Sequence, residues 1–143
     1  INTKALDCCR AGVFKPSSVR GADGESFEAL LAPFRDFDGR IVFDKETRAM
    51  VTTRHLNLAE LDSPFVAADL PRDQNIVFLR NVFIYFSPDF RSRVLRTVAE
   101  KCLRAGGYLF VSMSEIAQLD GSLIPACLEK IVDGNIFYFR KKI

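Results

Sequence analysis

The chain has 143 residues, of which 48% are apolar and 27% charged, ordinary usage for one globular domain. A formal net charge of +2, from 20 basic and 18 acidic residues, gives no argument for a nucleic-acid partner, and the basic triplet Arg140-Lys141-Lys142 reads as solvated. No apolar stretch is long enough to span a bilayer and no signal-peptide pattern stands at the start, so the expectation is a cytoplasmic protein without membrane insertion. Cys8, Cys9, Cys102 and Cys127 form no C-x-x-C pair and His55 is the single His. A metal site is therefore not expected, and the thiols read as reduced side chains packed as small hydrophobes. The first residue is Ile1 rather than Met, and the chain reads as a piece of a longer one.

Asn2-Thr3, an apolar-periodic stretch and Gly12 predict a first short helix with a capped start and a glycine stop. Residues 13–22 hold Pro, Ser and Gly and read as loop. Residues 26–31 suit a short helix ended by Pro33. Ile41-Val42-Phe43 and Met50-Val51-Thr52-Thr53 are β-like, and the polar stretch 44–47 between them suggests a hairpin. Residues 56–61 connect onward, and Ser63-Pro64 breaks that segment.

Ile76-Val77-Phe78-Leu79 is a continuous apolar run, the pattern of a strand buried on both faces. Ser87-Pro88 is a helix start, with Ser at the cap and Pro in the first turn. Phe90, Val94, Leu95, Val98, Cys102 and Leu103 follow at helical spacing, and Gly106-Gly107 is expected to end that helix. Tyr108-Leu109-Phe110-Val111 is a second buried strand, which makes a βαβ unit with a parallel pair. Residues 127–132 and 135–140 flank Asp133-Gly134 and predict an antiparallel hairpin. The fold class is α/β, a parallel sheet that finishes in that hairpin. In open parallel sheets ligands sit at the carboxyl ends of the strands, so the residues after Leu79 and after Val111 are where chemistry is expected.

Arg80-Asn81 and Tyr85 stand at the first of these places. Arg offers a planar fork that fits a carboxylate. Asn offers a donor and an acceptor, and Tyr an aromatic face that attracts cations. Such a set can hold a carboxylate and a sulfonium cofactor. Residue types and spacing alone leave this level with a plainer reading, in which Arg80 and Asn81 cap a strand end and Tyr85 packs in the core.

The run Arg80-Asn81-Val82-Phe83-Ile84-Tyr85-Phe86, followed by a Ser-Pro helix start, resembles the R-N-V-L-I-Y-F signature of the chemotaxis-receptor (CheR-type) methyltransferases. Three further stretches agree in order: residues 1–12 with Ala5-Leu6, Arg10 and Gly12; Val51-x-Thr53 with Asn57-Leu58; and Ala105-Gly106-Gly107-Tyr108-Leu109-Phe110 with Ser114-Glu115. The resemblance implies residues 1–143 to be the carboxyl-terminal part of a Rossmann-like catalytic domain whose first strands are missing. A small β-subdomain would be inserted at 34–56. It implies S-adenosyl-L-methionine as cofactor and S-adenosyl-L-homocysteine as its product. It also implies glutamate methyl esters formed on the cytoplasmic domain of a chemoreceptor, in chemotaxis signal transduction. By residue, Arg80 and Tyr85 carry over as catalytic, and Asn57, Leu58, Arg80 and Asn81 as cofactor-binding. Met113 stands where the family usually has His, and Ser114-Glu115 reads best as a helix cap.

The glycine-rich cofactor loop of the family, the acidic residue that would hold the ribose and the amino-terminal helical domain have no counterpart in these residues. The chain alone is therefore expected to be inactive and to bind cofactor weakly, with an exposed sheet edge that favours homo-oligomers. Two rivals stand beside this reading: a non-catalytic module that docks a receptor or other partner, and a related methyltransferase acting on a small molecule.

Overall fold

The computed structural model describes residues 3–19, 24–61, 63–112, 115, 119, 121–134 and 136–143, in two compact units that divide between Leu56 and Asn57. In the first unit, helix α1 (Thr3–Ala11) stops at Gly12, whose φ of 66° turns its N–H onto the carbonyls of Cys8 and Cys9. Strand β1 (Val13–Phe14) and a 3-10 turn (Pro16–Ser18) replace the first part of the expected loop. Helix α2 (Gly24–Leu31) runs into a second 3-10 turn (Ala32–Phe34) that contains Pro33.

The hairpin expected across residues 41–53 is not formed. Strand β2 (Ile41–Val42) pairs antiparallel with β1, residues 45–49 are helix α3 (Lys45–Ala49), and residues 51–53 are neither helix nor strand. The cause is local: the Asp44 carboxylate accepts the Thr47 N–H at 2.7 Å, so a polar stretch that reads as a turn is a capped helix. Leu31 and Ile41 are buried here, and the Phe43 ring meets those of Phe34 and Phe14 with centroids 4.9 and 6.0 Å apart.

The second unit opens with a 3-10 turn (Leu58–Glu60), and Ser63-Pro64 starts helix α4 (Pro64–Asp69) instead of only breaking a segment. Strand β3 (Gln74–Phe78), helix α5 (Pro88–Thr97) and strand β4 (Leu103–Phe110) form the expected βαβ unit with β3 and β4 parallel. Strands β5 (Leu128–Asp133) and β6 (Ile136–Lys141) form the expected hairpin around Gly134, whose φ is 56°. The sheet order is β3-β4-β6-β5, with β4 and β6 antiparallel.

Helix α5 is capped by Ser87 and buries Val94 and Leu95. It passes into a π-helical turn (Val98–Cys102) that ends the helical stretch before Gly106-Gly107. Both glycines lie inside β4, for two different reasons. Gly106 has a φ of 73°, which side chains resist. A Cβ on Gly107 would sit 2.9 Å from the Gln74 carbonyl oxygen, where the β3–β4 register slips.

Strand β4 has neighbours on both sides and buries Leu103 and Leu109. Strand β3 pairs with β4 alone among the described residues and leaves Ile76 51% and Phe78 69% exposed. The expectation that it is buried on both faces is thus corrected. Two smaller readings change as well. Cys102 is buried, which pushes its thiol pKa up, but Cys8 is exposed and does not pack as a core hydrophobe. The terminal basic triplet keeps Arg140 and Lys142 exposed, as read, but is also engaged: Arg140 pairs with Glu129, and the Lys141 and Lys142 amines donate to the carbonyls of Leu103 and Ala126.

Candidate functional site

Leu79 continues the ladder of β3 by donating its N–H to the Phe110 carbonyl at 2.9 Å, and the chain then leaves the sheet. Asn81 takes a φ of 61°, in the left-handed region that Asn tolerates better than most side chains. A 3-10 turn (Phe83–Tyr85) follows, and Phe83 anchors it with no exposed surface. Sequence and fold meet here. The turn opens at the carboxyl end of a parallel strand and closes at the Ser87 cap of α5.

What holds the turn is Glu115, also without exposed surface. One carboxylate oxygen accepts the N–H groups of Val82 (2.6 Å) and Phe83 (2.8 Å). The other accepts those of Asn81 (2.9 Å) and Ser112 (3.0 Å) and the Ser112 hydroxyl. From the opposite side, Arg91 Nε donates to the Phe83 carbonyl at 2.8 Å. Burial by itself would raise the Glu115 pKa. The Ser112 hydroxyl and the Asn81, Ser112 and Phe83 amides outweigh that and bring it from 4.5 to about 2. The carboxylate is therefore ionised at neutral pH, and its charge is answered by the Ser112 hydroxyl together with backbone amides.

A cavity of about 210 Å³ opens beside this turn, between the ends of β3 and β4 and the start of β6. Phe78, Arg80, Phe110, Val111, Ser112, Ile136 and Phe137 line it, with the Phe78 and Phe110 rings stacked at 5.1 Å. Aromatic faces and one permanent cation suit a small ligand with an apolar body and an anionic end. The place matches the expectation drawn from strand polarity.

The residues singled out by sequence divide into two groups. Arg80, Asn81 and Tyr85 share one turn. Arg80 is exposed and lines the cavity, Asn81 is exposed, and Tyr85 is 80% exposed, so the plainer reading of Tyr85 as a core residue does not hold. Asn57 and Leu58 lie on the 3-10 turn at the start of the unit and are not among the residues that line the cavity. The Asn57 side chain accepts the Ala59 N–H at 3.1 Å and donates to Glu60 at 2.6 Å, so both its ends serve the local cap. Glu115 is the residue that sequence reading missed. With Ser114 it reads as a helix cap, and its carboxylate does accept the Ser112 N–H three positions back, but it also binds amides more than thirty positions earlier. Met113 and Ser114 lie outside the described residues.

Comparison with known proteins adds the family. Residues 1–123 match the family model described as CheR methyltransferase, SAM binding domain. The chain is 38% identical over 116 residues to chemotaxis protein methyltransferase 1 of Vibrio cholerae serotype O1, an alignment that covers 80% of this chain and 39% of that protein. It is 36% identical over 116 residues, with the same shares, to the chemotaxis protein methyltransferase of Vibrio anguillarum. A more distant match, 27% identical over 129 residues and covering 83% of this chain, is a probable RNA 2'-phosphotransferase of Pyrobaculum aerophilum. The chain thus spans about two fifths of the length of the first curated relatives it matches. On the family match over residues 1–123 and these identities, the chain belongs to the CheR methyltransferase family, through its SAM-binding domain.

Proposed function

We propose that this chain is part of an S-adenosylmethionine-dependent methyltransferase that forms methyl esters on glutamates of a chemoreceptor's cytoplasmic domain. The observation that carries the reading is Arg80, presented at the carboxyl end of a parallel strand on the rim of an aromatic-lined cavity. The names of the relatives support the same reaction.

The donor set fits one end of such a cofactor together with an acceptor carboxylate. When bound, S-adenosylmethionine supplies a methyl group activated by a sulfonium centre. Arg80 presents a two-pronged donor to a carboxylate and keeps it ionised. A glutamate side chain is already ionised at neutral pH, so the chain's residues need supply no base, and His55 has no part. Tyr85 offers an exposed ring and hydroxyl five positions after Arg80, suited to a cationic methyl donor. Asn57 and its cap fix the backbone at Leu58, which suits the edge of an adenine. Their work is alignment, which is where most of the rate of a direct displacement is to be found.

Strand β3 pairs with β4 alone among the described residues, and its other edge suits the further strands of a Rossmann-like sheet. Residues 34–56 take the place of the inserted subdomain. No helix among the described residues is long and apolar enough to cross a membrane, which suits action in the cytoplasm on a receptor's inner domain.

The test is methyl transfer by the complete natural protein to a chemoreceptor cytoplasmic fragment. Base-labile methyl esters on glutamate are expected; label appearing only on a small molecule, or none, overturns the reading. For this 143-residue chain alone, calorimetry is expected to detect no S-adenosylmethionine binding tighter than millimolar. Light scattering is expected to find species larger than the monomer.

A further inference from the structure

We propose that Glu115 is a positioning residue for this methyl transfer, fixing the turn from Asn81 to Phe83 so that Arg80 and Asn81 meet their ligand in one geometry. The inference rests on the functional reading above and adds to it a residue outside the signature run.

Five donors converge on its two oxygens, and three of them are the successive N–H groups of Asn81, Val82 and Phe83. Three consecutive amides cannot point at one group in a strand, where they alternate sides. They do so here because Asn81 is left-handed, a conformation that L-residues resist and that Asn tolerates better than most. A left-handed residue persists where its surroundings over-determine it. The carboxylate does so from the amide side and Arg91 from the carbonyl of Phe83. Arg80 is itself exposed, and the backbone that carries it fixes where its side chain departs from the turn.

Ser112 ties the clamp to the cavity. It lines the cavity wall, and it gives both its N–H and its hydroxyl to Glu115. The carboxylate therefore locks the carboxyl end of β3 to the carboxyl end of β4, the two strand ends that bound the cavity. A shift of about 1 Å in such a support is enough to slow an aligned displacement by about 100-fold.

A Glu115→Gln side chain keeps the volume but turns an amide NH₂ toward N–H donors, so one half of the clamp becomes repulsive. The experiment uses the complete natural protein, with methyl transfer to a chemoreceptor fragment and S-adenosylhomocysteine binding by calorimetry, each scaled to the folded fraction. For E115Q we expect kcat to fall about 10-fold or more per folded molecule, with E115D between it and wild type. Wild-type kcat in folded E115Q overturns the proposal and leaves the functional reading intact. A wild-type protein that neither binds nor transfers overturns both. Should E115Q not fold, S112A and R91Q each weaken the same clamp, the first at the Ser112 hydroxyl and the second at the Phe83 carbonyl. Both are then expected to lose about 3-fold in kcat/KM per folded molecule, and wild-type values in both overturn the proposal.

Discussion

Two turns in this molecule are organised by the same device, a carboxylate that gathers backbone amides, and they differ in burial. In the first unit Asp36 accepts the N–H groups of Asp38 (3.0 Å) and Arg40 (2.8 Å) and pairs with the Arg40 side chain at 2.8 Å. Its pKa is lowered: burial pushes it up, and the hydrogen bonds and charge of Arg40 push it further down. In the second unit Glu115 gathers four amides and a hydroxyl with no surface exposed. At the surface, water replaces a lost acceptor. In the interior nothing does, and each orphaned donor costs about 1–3 kcal/mol. Equal chemistry therefore yields an interchangeable turn in one place and a fixed one in the other.

Substitutions can break this contrast, beginning with the largest. E115A leaves the Phe83 and Ser112 amides buried without an acceptor, and urea unfolding is expected to show a loss of about 3–5 kcal/mol or no cooperative transition at all. Acid sharpens the same point. The Glu115 pKa is lowered in the folded chain, so its stabilisation is complete above about 4.5 and is lost as the pH falls toward about 2. The amount is about 3 kcal/mol, from about 1.4 kcal/mol per pKa unit. Urea midpoints from pH 6 to about 2 should follow that slope, and E115Q should flatten it.

Glycines give an intermediate effect. G107A drives a Cβ against the Gln74 carbonyl, for about 1–3 kcal/mol, whereas G106A meets no neighbour within 4 Å and is resisted by its φ alone, for about 1 kcal/mol. Thermal melts that rank them the other way would refute this account of β4. Smallest is D36A, whose urea midpoint should stay close to wild type. A large loss there would erase the contrast between the two turns.

The second unit was the more legible in sequence. The apolar runs of β3 and β4, the Ser87 cap and the glycine of the last hairpin each carry a local signal, and each element formed where the signal lay. Misreadings came where the deciding partner is distant, or where two local structures use the same residue types. Ile41-Val42 pairs back to Val13-Phe14 rather than forward, which no turn between 44 and 47 announces. The Asp44 cap competes with a turn made of the same residue types. Gly106-Gly107 reads as a helix stop until the close approach of the Gln74 carbonyl gives another reason for a glycine. At the site, the signature run was evident because it is contiguous. Glu115 was not, because nothing in the order of residues tells a capping acid from one that reaches back to Asn81.

The exposure of Tyr85 has an optical consequence. With no Trp in the chain, near-ultraviolet emission belongs to its three tyrosines. Tyr108 and Tyr138 touch each other, with ring centroids 5.7 Å apart, and are more sheltered. Tyr85, 80% exposed, is the fluorophore that a dissolved quencher reaches most readily. A molecule settling against the turn from Arg80 to Phe86 would shield it. The signature run therefore carries its own intrinsic reporter of occupancy, readable without any label.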